Sequence, residues 1–194
     1  FLKYFRDGET IRMPTVYPTT RELKNAERIL GNAGISGPFI VVHPGSGGSA
    51  ERWPMNRFVE LYVELTRNGG QAVVTGSEAE GAAVDRIAGQ MGVKVKKITG
   101  QTDLRTLAAV LSKASTLVAN STGPLHLAVA VGTKVVGLYP SRKIMSPVRW
   151  GPLGEGHRII RPNNPDCGCP PGQCTCMEMI SVERVVQATE QVNG

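Results

Sequence analysis

Short, unbroken apolar runs alternate along the chain with segments in which apolar residues recur every three or four positions. Residues 39–42 form the first such run, which predicts a strand buried on both faces, as in a parallel sheet. Similar runs predict further strands at 72–75, 93–98, 116–119, 135–138 and 158–160. The intervening spacing predicts amphipathic helices, the first of them opened by Thr19 and Glu22 at the separation of a capping box.

This alternation predicts an α/β fold: right-handed βαβ units in a Rossmann-like, three-layer αβα domain with a doubly wound, six-stranded parallel sheet. In the strand order 3-2-1-4-5-6, strands one and four are neighbours at the point where the winding reverses, and ligands bind outside the carboxyl ends there. The loops that leave these two strands, residues 43–54 and 120–124, are the richest in Gly, Ser and Thr. The topology therefore predicts that both loops meet at one site.

The loop after the fourth predicted strand reads Asn120-Ser121-Thr122-Gly123-Pro124. Gly123 allows a tight turn, and Pro124 suits the first turn of a following helix, where a missing N–H costs nothing. The backbone N–H groups at such a helix start have no partner within the helix and favour an anion. We interpret this loop as the floor of a phosphate or nucleotide site.

The loop after the first strand contains Gly45-Ser46-Gly47-Gly48-Ser49-Ala50, which formally matches the dinucleotide-binding fingerprint. Its context argues against that chemistry, because Trp53-Pro54 delays the helix and the second strand has no acidic residue at its end. No Gly-Lys-Ser/Thr follows the glycines, which argues against a P-loop. The remaining combination of backbone donors, hydroxyls and a cation at Arg52 suits a diphosphate.

The composition and charge of the chain limit the kinds of partner that it is expected to bind. The chain has 194 residues, a formal charge of +6 and only 5% aromatic residues, with its basic residues scattered. This predicts an anionic partner but no nucleic acid. No apolar run approaches the roughly 18–20 residues of a membrane-spanning helix. The chain begins with Phe1, so we expect a piece of a longer polypeptide, with residues 1–18 as a linker or arm and 19–194 as the binding domain.

Four cysteines lie within ten residues, in the pattern C-x-C-x4-C-x-C: Cys167, Cys169, Cys174 and Cys176. Four thiols so close together could bind a structural zinc ion tetrahedrally. The C-x-C pairs are closer than the usual C-x2-4-C spacing, so reduced thiols in a loop, or disulfides, are alternative interpretations. No cofactor is required by the other motifs.

Several motifs together resemble the C-terminal half of glycosyltransferase family 9, the bacterial ADP-heptose:lipopolysaccharide heptosyltransferases. The resemblance covers about residues 14–192 and is carried by His43-Pro44-Gly45-Ser46, Arg52-Trp53-Pro54, Thr75-Gly76 with Glu80, and Asn120-Ser121-Thr122-Gly123-Pro124-Leu125-His126-Leu127-Ala128. It implies a GT-B fold of two Rossmann-like domains. The C-terminal domain would hold the sugar nucleotide and the N-terminal domain the lipid acceptor.

The resemblance also implies a set of ADP-sugar-binding residues: Ser46, Gly47, Arg52, Glu80, Thr122, Gly123 and His126. Ser46 and Gly47 would line the diphosphate, and Arg52 would meet the phosphates. Glu80 would contact the nucleoside. Thr122 and Gly123 would hold the pyrophosphate, and His126 would face the same site. Read from the residues alone, Arg52 could be solvated, Glu80 an ordinary first-turn residue and His126 a core histidine, while Trp53 is interpreted as a packing anchor.

The implied reaction is transfer of heptose from ADP-heptose to the lipopolysaccharide core, at the cytoplasmic face of the inner membrane with peripheral membrane contact. The resemblance places the catalytic base, an aspartate, in the missing N-terminal domain together with the acceptor site. No catalytic residue is therefore predicted in this chain, which alone should bind donor without turnover. The alternative is a non-catalytic nucleotide- or zinc-binding module. The length and sequence of whatever precedes Phe1 would distinguish the two.

Overall fold

A computed structural model of the chain describes residues 14–48, 50–164, 167–168 and 175–194. Within these residues, five parallel strands form one sheet in the order β2-β1-β3-β4-β5. The strands are β1 (Ile40–His43), β2 (Ala72–Val74), β3 (Thr116–Asn120), β4 (Lys134–Leu138) and β5 (Arg158–Ile160). β1 lies between β2 and β3, so the winding reverses between β1 and β3. These two are the strands predicted as the first and the fourth, so the predicted point of reversal is confirmed.

Helices cover both faces of this sheet: α1 (Thr20–Asn32), α2 (Met55–Arg67), α3 (Glu78–Gln90), α4 (Leu104–Leu111), α5 (Gly123–Ala130) and, after the short surface helix α6 (Pro147–Trp150), α7 (Val182–Asn193). Two hydrophobic clusters make up the core, one on each side. Val41 and Leu117 point into the cluster formed with α1, α4 and α5. Val42 and Val118 point into the cluster formed with α2, α3 and α7. The predicted three-layer αβα architecture is confirmed.

The prediction of a strand at 93–98 is wrong. Among the described residues the sheet has five strands, and this segment is not one of them. This segment contributes one parallel bridge, between Val74 and Lys97, at the outer edge of β2. The backbone N–H of Lys96 donates to the Tyr62 hydroxyl at 2.9 Å instead of to a strand, and of the segment only Ile98 is buried. Interspersed lysines face solvent at this edge, so the segment has too little to bury to extend the pairing.

The capping box predicted at the start of α1 is present. The Glu22 carboxylate accepts the Thr19 N–H at 2.7 Å, and the Thr19 hydroxyl accepts the Glu22 N–H at 3.4 Å. Glu22 also forms an ion pair with Arg105, at 2.6 Å between Oε1 and Nε, and so ties α1 to α4.

Of the predicted arm, residues 1–13 lie outside the described residues, and the division into arm and domain stays a prediction. Val16 donates its backbone N–H to the Ala130 carbonyl at 2.7 Å. In the described part of the chain, no helix combines the length and the apolar character needed to cross a lipid bilayer.

Candidate functional site

The two glycine-rich loops meet at the side chain of Asn120, which ends β3 and is fully buried. Its Oδ1 accepts the backbone N–H of Trp53 at 3.0 Å, and its Nδ2 donates to the Pro44 carbonyl at 3.0 Å. Both ends of the loop that follows β1 are thereby held by one amide. The prediction that the topology brings these two loops together is confirmed.

Trp53 anchors the far end of this loop. Its side chain is 1% exposed, its Nε1 donates to the Ile180 carbonyl at 2.9 Å, and its ring meets Phe58 edge-on with centroids 4.9 Å apart. A ring so enclosed presents no face to a ligand. The interpretation of Trp53 as a packing anchor is confirmed.

A first cavity of about 290 Å³ opens between the carboxyl ends of β1 and β3. It is lined by polar groups and glycines from both loops and from the start of α3: His43, Gly45, Ser46, Gly47, Ser77, Glu80, Thr122, Gly123 and Pro124. Five of the seven predicted binding residues are therefore brought together here. Ser46 and Thr122 are buried, so their hydroxyls belong to the cavity wall.

Glu80 both caps α3 and lines the first cavity. Its Oε2 accepts the Ser77 N–H at 2.7 Å, which completes a capping box. The β1 loop approaches this carboxylate closely, since a Cβ built on Gly45 would lie 2.7 Å from the Glu80 Cδ. A side chain at position 45 would therefore require the Glu80 carboxylate to move from this position. The first-turn interpretation of Glu80 is correct, and it does not exclude ligand contact.

His43 lies at the inner end of the same cavity. Its Nδ1 is 2.9 Å from the Thr75 hydroxyl, and its side chain is buried. Burial lowers the pKa of His43, an effect that the nearby Glu80 carboxylate partly opposes. The imidazole is therefore neutral at pH 7 and offers one hydrogen-bond donor and one acceptor.

A second, larger cavity of about 500 Å³ adjoins the first. It is lined by the start of α5 and by the segment after β4: Ser121, Thr122, Gly123, His126, Arg142, Ile144, Met145, Arg149 and Trp150. Thr122 and Gly123 line both cavities, so the N-terminus of α5 is their junction. The His126 side chain is exposed to solvent at this cavity, which rules out the core-histidine interpretation. The protein atoms around the ring still exclude some water, and this desolvation lowers the pKa of His126.

The junction is suited to an anion. Thr122 is the N-cap of α5 but makes no capping hydrogen bond to the helix, and its hydroxyl donates instead to the Asn120 carbonyl at 3.2 Å. In contrast, the N-cap side chains of α1, α3, α4 and α7 each accept a backbone N–H of their own helix. Pro124 has no N–H and that of Leu125 donates to the Thr122 carbonyl at 3.1 Å, so the N–H groups of Thr122 and Gly123 are those that the α5 terminus can present to the cavities, with the positive end of the helix dipole.

Two arginines and a tryptophan of the second cavity were missed by sequence reasoning. Arg142 Nη1 is 3.1 Å from Glu51 Oε1, and the Arg149 guanidinium lies over the Trp150 ring at 5.1 Å. The Tyr139 hydroxyl donates to the Trp150 carbonyl at 2.7 Å and so holds this segment in place. Burial raises the pKa of Tyr139 to about 12. The sequence did contain one signal for these three residues. They belong to a basic and aromatic run that directly follows β4, the strand paired with β3, at the carboxyl edge of the sheet.

Arg52 is the one predicted binding residue that the structure does not bring into this group. Its side chain is exposed, and it is not among the described residues that line either cavity. Its neighbour Trp53 takes the buried position at this end of the loop.

Two of the four cysteines can be placed. Cys167 and Cys176 both pack against the hydrophobic cluster on the α7 side, and the Ser141 N–H donates to Cys176 Sγ at 3.5 Å. Cys169 and Cys174 lie outside the described residues. Among the residues that are described, no three metal-ligating side chains form a group that could hold an ion. The zinc site and its alternatives remain predictions.

Known proteins share this sequence pattern and fold. The family model "Glycosyltransferase family 9 (heptosyltransferase)" matches residues 12–178. Lipopolysaccharide heptosyltransferase 2 of Salmonella typhimurium is 30% identical over 130 residues, which are 64% of this chain and 36% of that protein. The solved glycosyl transferase family 9 protein of Veillonella parvula superposes with a TM-score of 0.78 at 23% identity, over 92% of this chain and 53% of that one.

A second solved structure, E. coli ADP-heptose lps heptosyltransferase II, gives a TM-score of 0.77 at 23% identity and covers 96% of this chain and 55% of that one. The chain thus spans about half the length of these relatives or less. The family match extends over most of the chain and includes both loops and both cavities. The chain belongs to glycosyltransferase family 9, the heptosyltransferase family.

Proposed function

We propose that this chain is the donor-binding half of a glycosyltransferase that transfers heptose from ADP-heptose to the lipopolysaccharide core. The observation that carries this proposal is the junction of two cavities at the uncapped N-terminus of α5. A sugar nucleotide has the matching layout, with an anionic diphosphate between two uncharged ends. The names of its relatives, a lipopolysaccharide heptosyltransferase and an ADP-heptose heptosyltransferase, support this choice of donor and acceptor.

In this proposal the diphosphate lies over Thr122 and Gly123, where backbone N–H groups point toward it. The nucleoside extends along the first cavity, past Ser46 and Gly47, and its hydroxyls reach the Glu80 carboxylate. The sugar then lies on the side of His126, in the second cavity. Both ends of the ligand are thereby accounted for by cavities lined with residues of different chemistry.

The proposed contribution to catalysis is electrostatic. When the bond between heptose and ADP breaks, negative charge develops on the distal phosphate of the departing ADP. N–H groups fixed at a helix start stabilise that charge without reorganising, and they accelerate transfer only if they bind the developing charge more strongly than the ground state. The base that deprotonates the acceptor, and the acceptor site itself, would come from the other half of the protein. That half would approach the cytoplasmic face of the inner membrane.

The direct test is titration of this chain with ADP and ADP-heptose, followed by thermal unfolding and calorimetry. A ligand at a hundred times its Kd adds about 2.7 kcal/mol to the free energy of unfolding. For a chain of this size, that raises Tm by about 5–11 °C. No stabilisation by either ligand at millimolar concentration would contradict the proposal.

A matched pair of glycine variants ties the effect to the junction. Among the described residues, a Cβ added to Gly123 meets no heavy atom within 4 Å, and neither does one added to Gly31 in the last turn of α1. Both alanine variants should therefore fold normally. Gly123→Ala should weaken the ADP effect, because its methyl group occupies space next to the diphosphate, whereas Gly31→Ala should leave the effect unchanged. Equal responses of the two variants would place the ligand elsewhere.

A further inference from the structure

The second cavity contains a cation that is both enclosed and held in position. Arg142 follows β4, the strand paired with β3, and it lines the cavity together with Thr122 and Gly123. Its side chain is 18% exposed. The other two arginines near the site differ in setting: Arg149 is exposed and lies over Trp150, and Arg52 is exposed outside the described lining of both cavities.

The partner of Arg142 belongs to the loop that follows β1. Glu51 Oε1 lies 3.1 Å from Arg142 Nη1, and the Glu51 side chain is only 14% exposed. Glu51 is two residues before Trp53, whose backbone N–H is held by the buried Asn120 amide. The carboxylate is therefore attached to a fixed section of loop. The guanidinium it contacts is ordered before any ligand arrives, which reduces the entropy lost on binding.

The chemistry of the guanidinium suits the distal phosphate. Arginine carries five N–H donors in a planar fork and stays charged at all accessible pH values. Among the described residues, the ion pair with Glu51 engages Nη1 of Arg142, which leaves Nη2 and Nε for a bidentate contact with phosphate oxygens. Arg142 lines the second cavity, which holds the sugar in the proposed binding mode, whereas Glu80 lines the first.

We propose that Arg142 binds the distal phosphate of the ADP-sugar and that Glu51 positions it. This assignment rests on the proposed donor site and adds a residue to it. On departure of ADP, the same guanidinium would face the oxygen that takes up the electron pair of the broken bond. It would thus act on the leaving group from the side opposite the nucleoside.

The test compares ADP with AMP, which lacks the distal phosphate, in calorimetric titrations of wild type and Arg142→Ala. A hydrogen bond to a charged group accounts for about 10- to 100-fold in affinity. We expect the Kd for ADP to rise by about that factor, while the Kd for AMP changes less than about threefold. The control is Arg67→Ala, which removes the same charge and also breaks an ion pair, with Glu64 at 2.7 Å, in the last turn of α2.

The outcomes separate the two proposals. Wild-type ADP affinity in Arg142→Ala would overturn the assignment, and so would an equal loss of ADP and AMP binding, which indicates a general disturbance of the site. Failure of the wild type to bind ADP would instead overturn the proposed function, and this assignment with it. Arg142→Gln keeps an N–H donor for Glu51, so it serves the same comparison if the alanine variant folds poorly.

Discussion

Asn120 offers the sharpest test of how the site is built, because one buried amide holds both ends of a loop. The perturbation is Asn120→Ala. The wild-type side chain is fully buried and makes two hydrogen bonds of 3.0 Å, to the N–H of Trp53 and the carbonyl of Pro44. Truncation leaves both backbone groups buried without these partners, which costs about 1–3 kcal/mol for each group.

The expected loss is therefore about 2–6 kcal/mol in the free energy of unfolding, toward the lower end if water enters the vacated space. Since Tm moves by roughly 2–4 °C per kcal/mol in a chain of this length, thermal unfolding should detect it easily. Urea unfolding gives the same quantity independently. Asn56→Ala is the matched control, because its amide donates to Glu60 on the exposed surface of α2 at 3.2 Å, and the expected change is within about 0.5 kcal/mol.

Asn120→Asp adds a dependence on pH. The aspartate keeps an acceptor for the Trp53 N–H but places a second acceptor against the Pro44 carbonyl. Burial should raise the pKa of this carboxyl above its unfolded value, so the penalty is present above the folded pKa and disappears as pH falls below the unfolded one. The deficit relative to wild type should shrink on acidification. A loss below about 0.5 kcal/mol in Asn120→Ala, or no pH dependence in Asn120→Asp, would refute this account of the loop.

Three further predictions concern other parts of the chain. Arg52→Ala should weaken the stabilisation by ADP only modestly, because the side chain is exposed; a loss of all stabilisation in a thermal-shift titration would contradict its described position. Gly81→Ala should lower the free energy of unfolding by about 1–3 kcal/mol in urea, since the added Cβ would overlap the Thr99 side chain, and unchanged stability would show that Thr99 moves aside easily. Hydrogen bonds from Arg105 and Thr19 lower the pKa of Glu22 to about 2, so its stabilising effect is present above pH 4.5 and lost toward pH 2; Glu22→Gln should melt below wild type at pH 7 and close to it at pH 2, and a constant difference would be evidence against the linkage.

Much of the fold could be predicted from local patterns. Apolar runs marked the strands, because a strand buried on both faces must be apolar throughout. The neighbouring positions of β1 and β3 then followed from the strand order of a doubly wound sheet, which brings their loops together whatever their side chains do. Where the pattern was mixed, as at 93–98, the number of strands was wrong. Pairing at a sheet edge depends on what the segment can bury, and only Ile98 is buried there.

The side chains of the site depended on contacts between distant residues. Arg52 was a reasonable phosphate ligand from its place in the loop, yet its side chain is exposed and is not among the described residues that line either cavity, whereas the Trp53 ring beside it is buried. Arg142 had no local signal beyond a basic run, because the carboxylate that pairs with it, that of Glu51, is ninety-one positions away in the chain.

By itself the sequence determined the layers, the parallel sheet and the edge at which the two glycine-rich loops meet, because these follow from periodicity, capping residues and the topology of a doubly wound sheet. Only the tertiary structure decided which arginine is paired and enclosed at the second cavity and that Asn120 holds the loop, since both depend on hydrogen bonds and ion pairs between residues far apart in the chain.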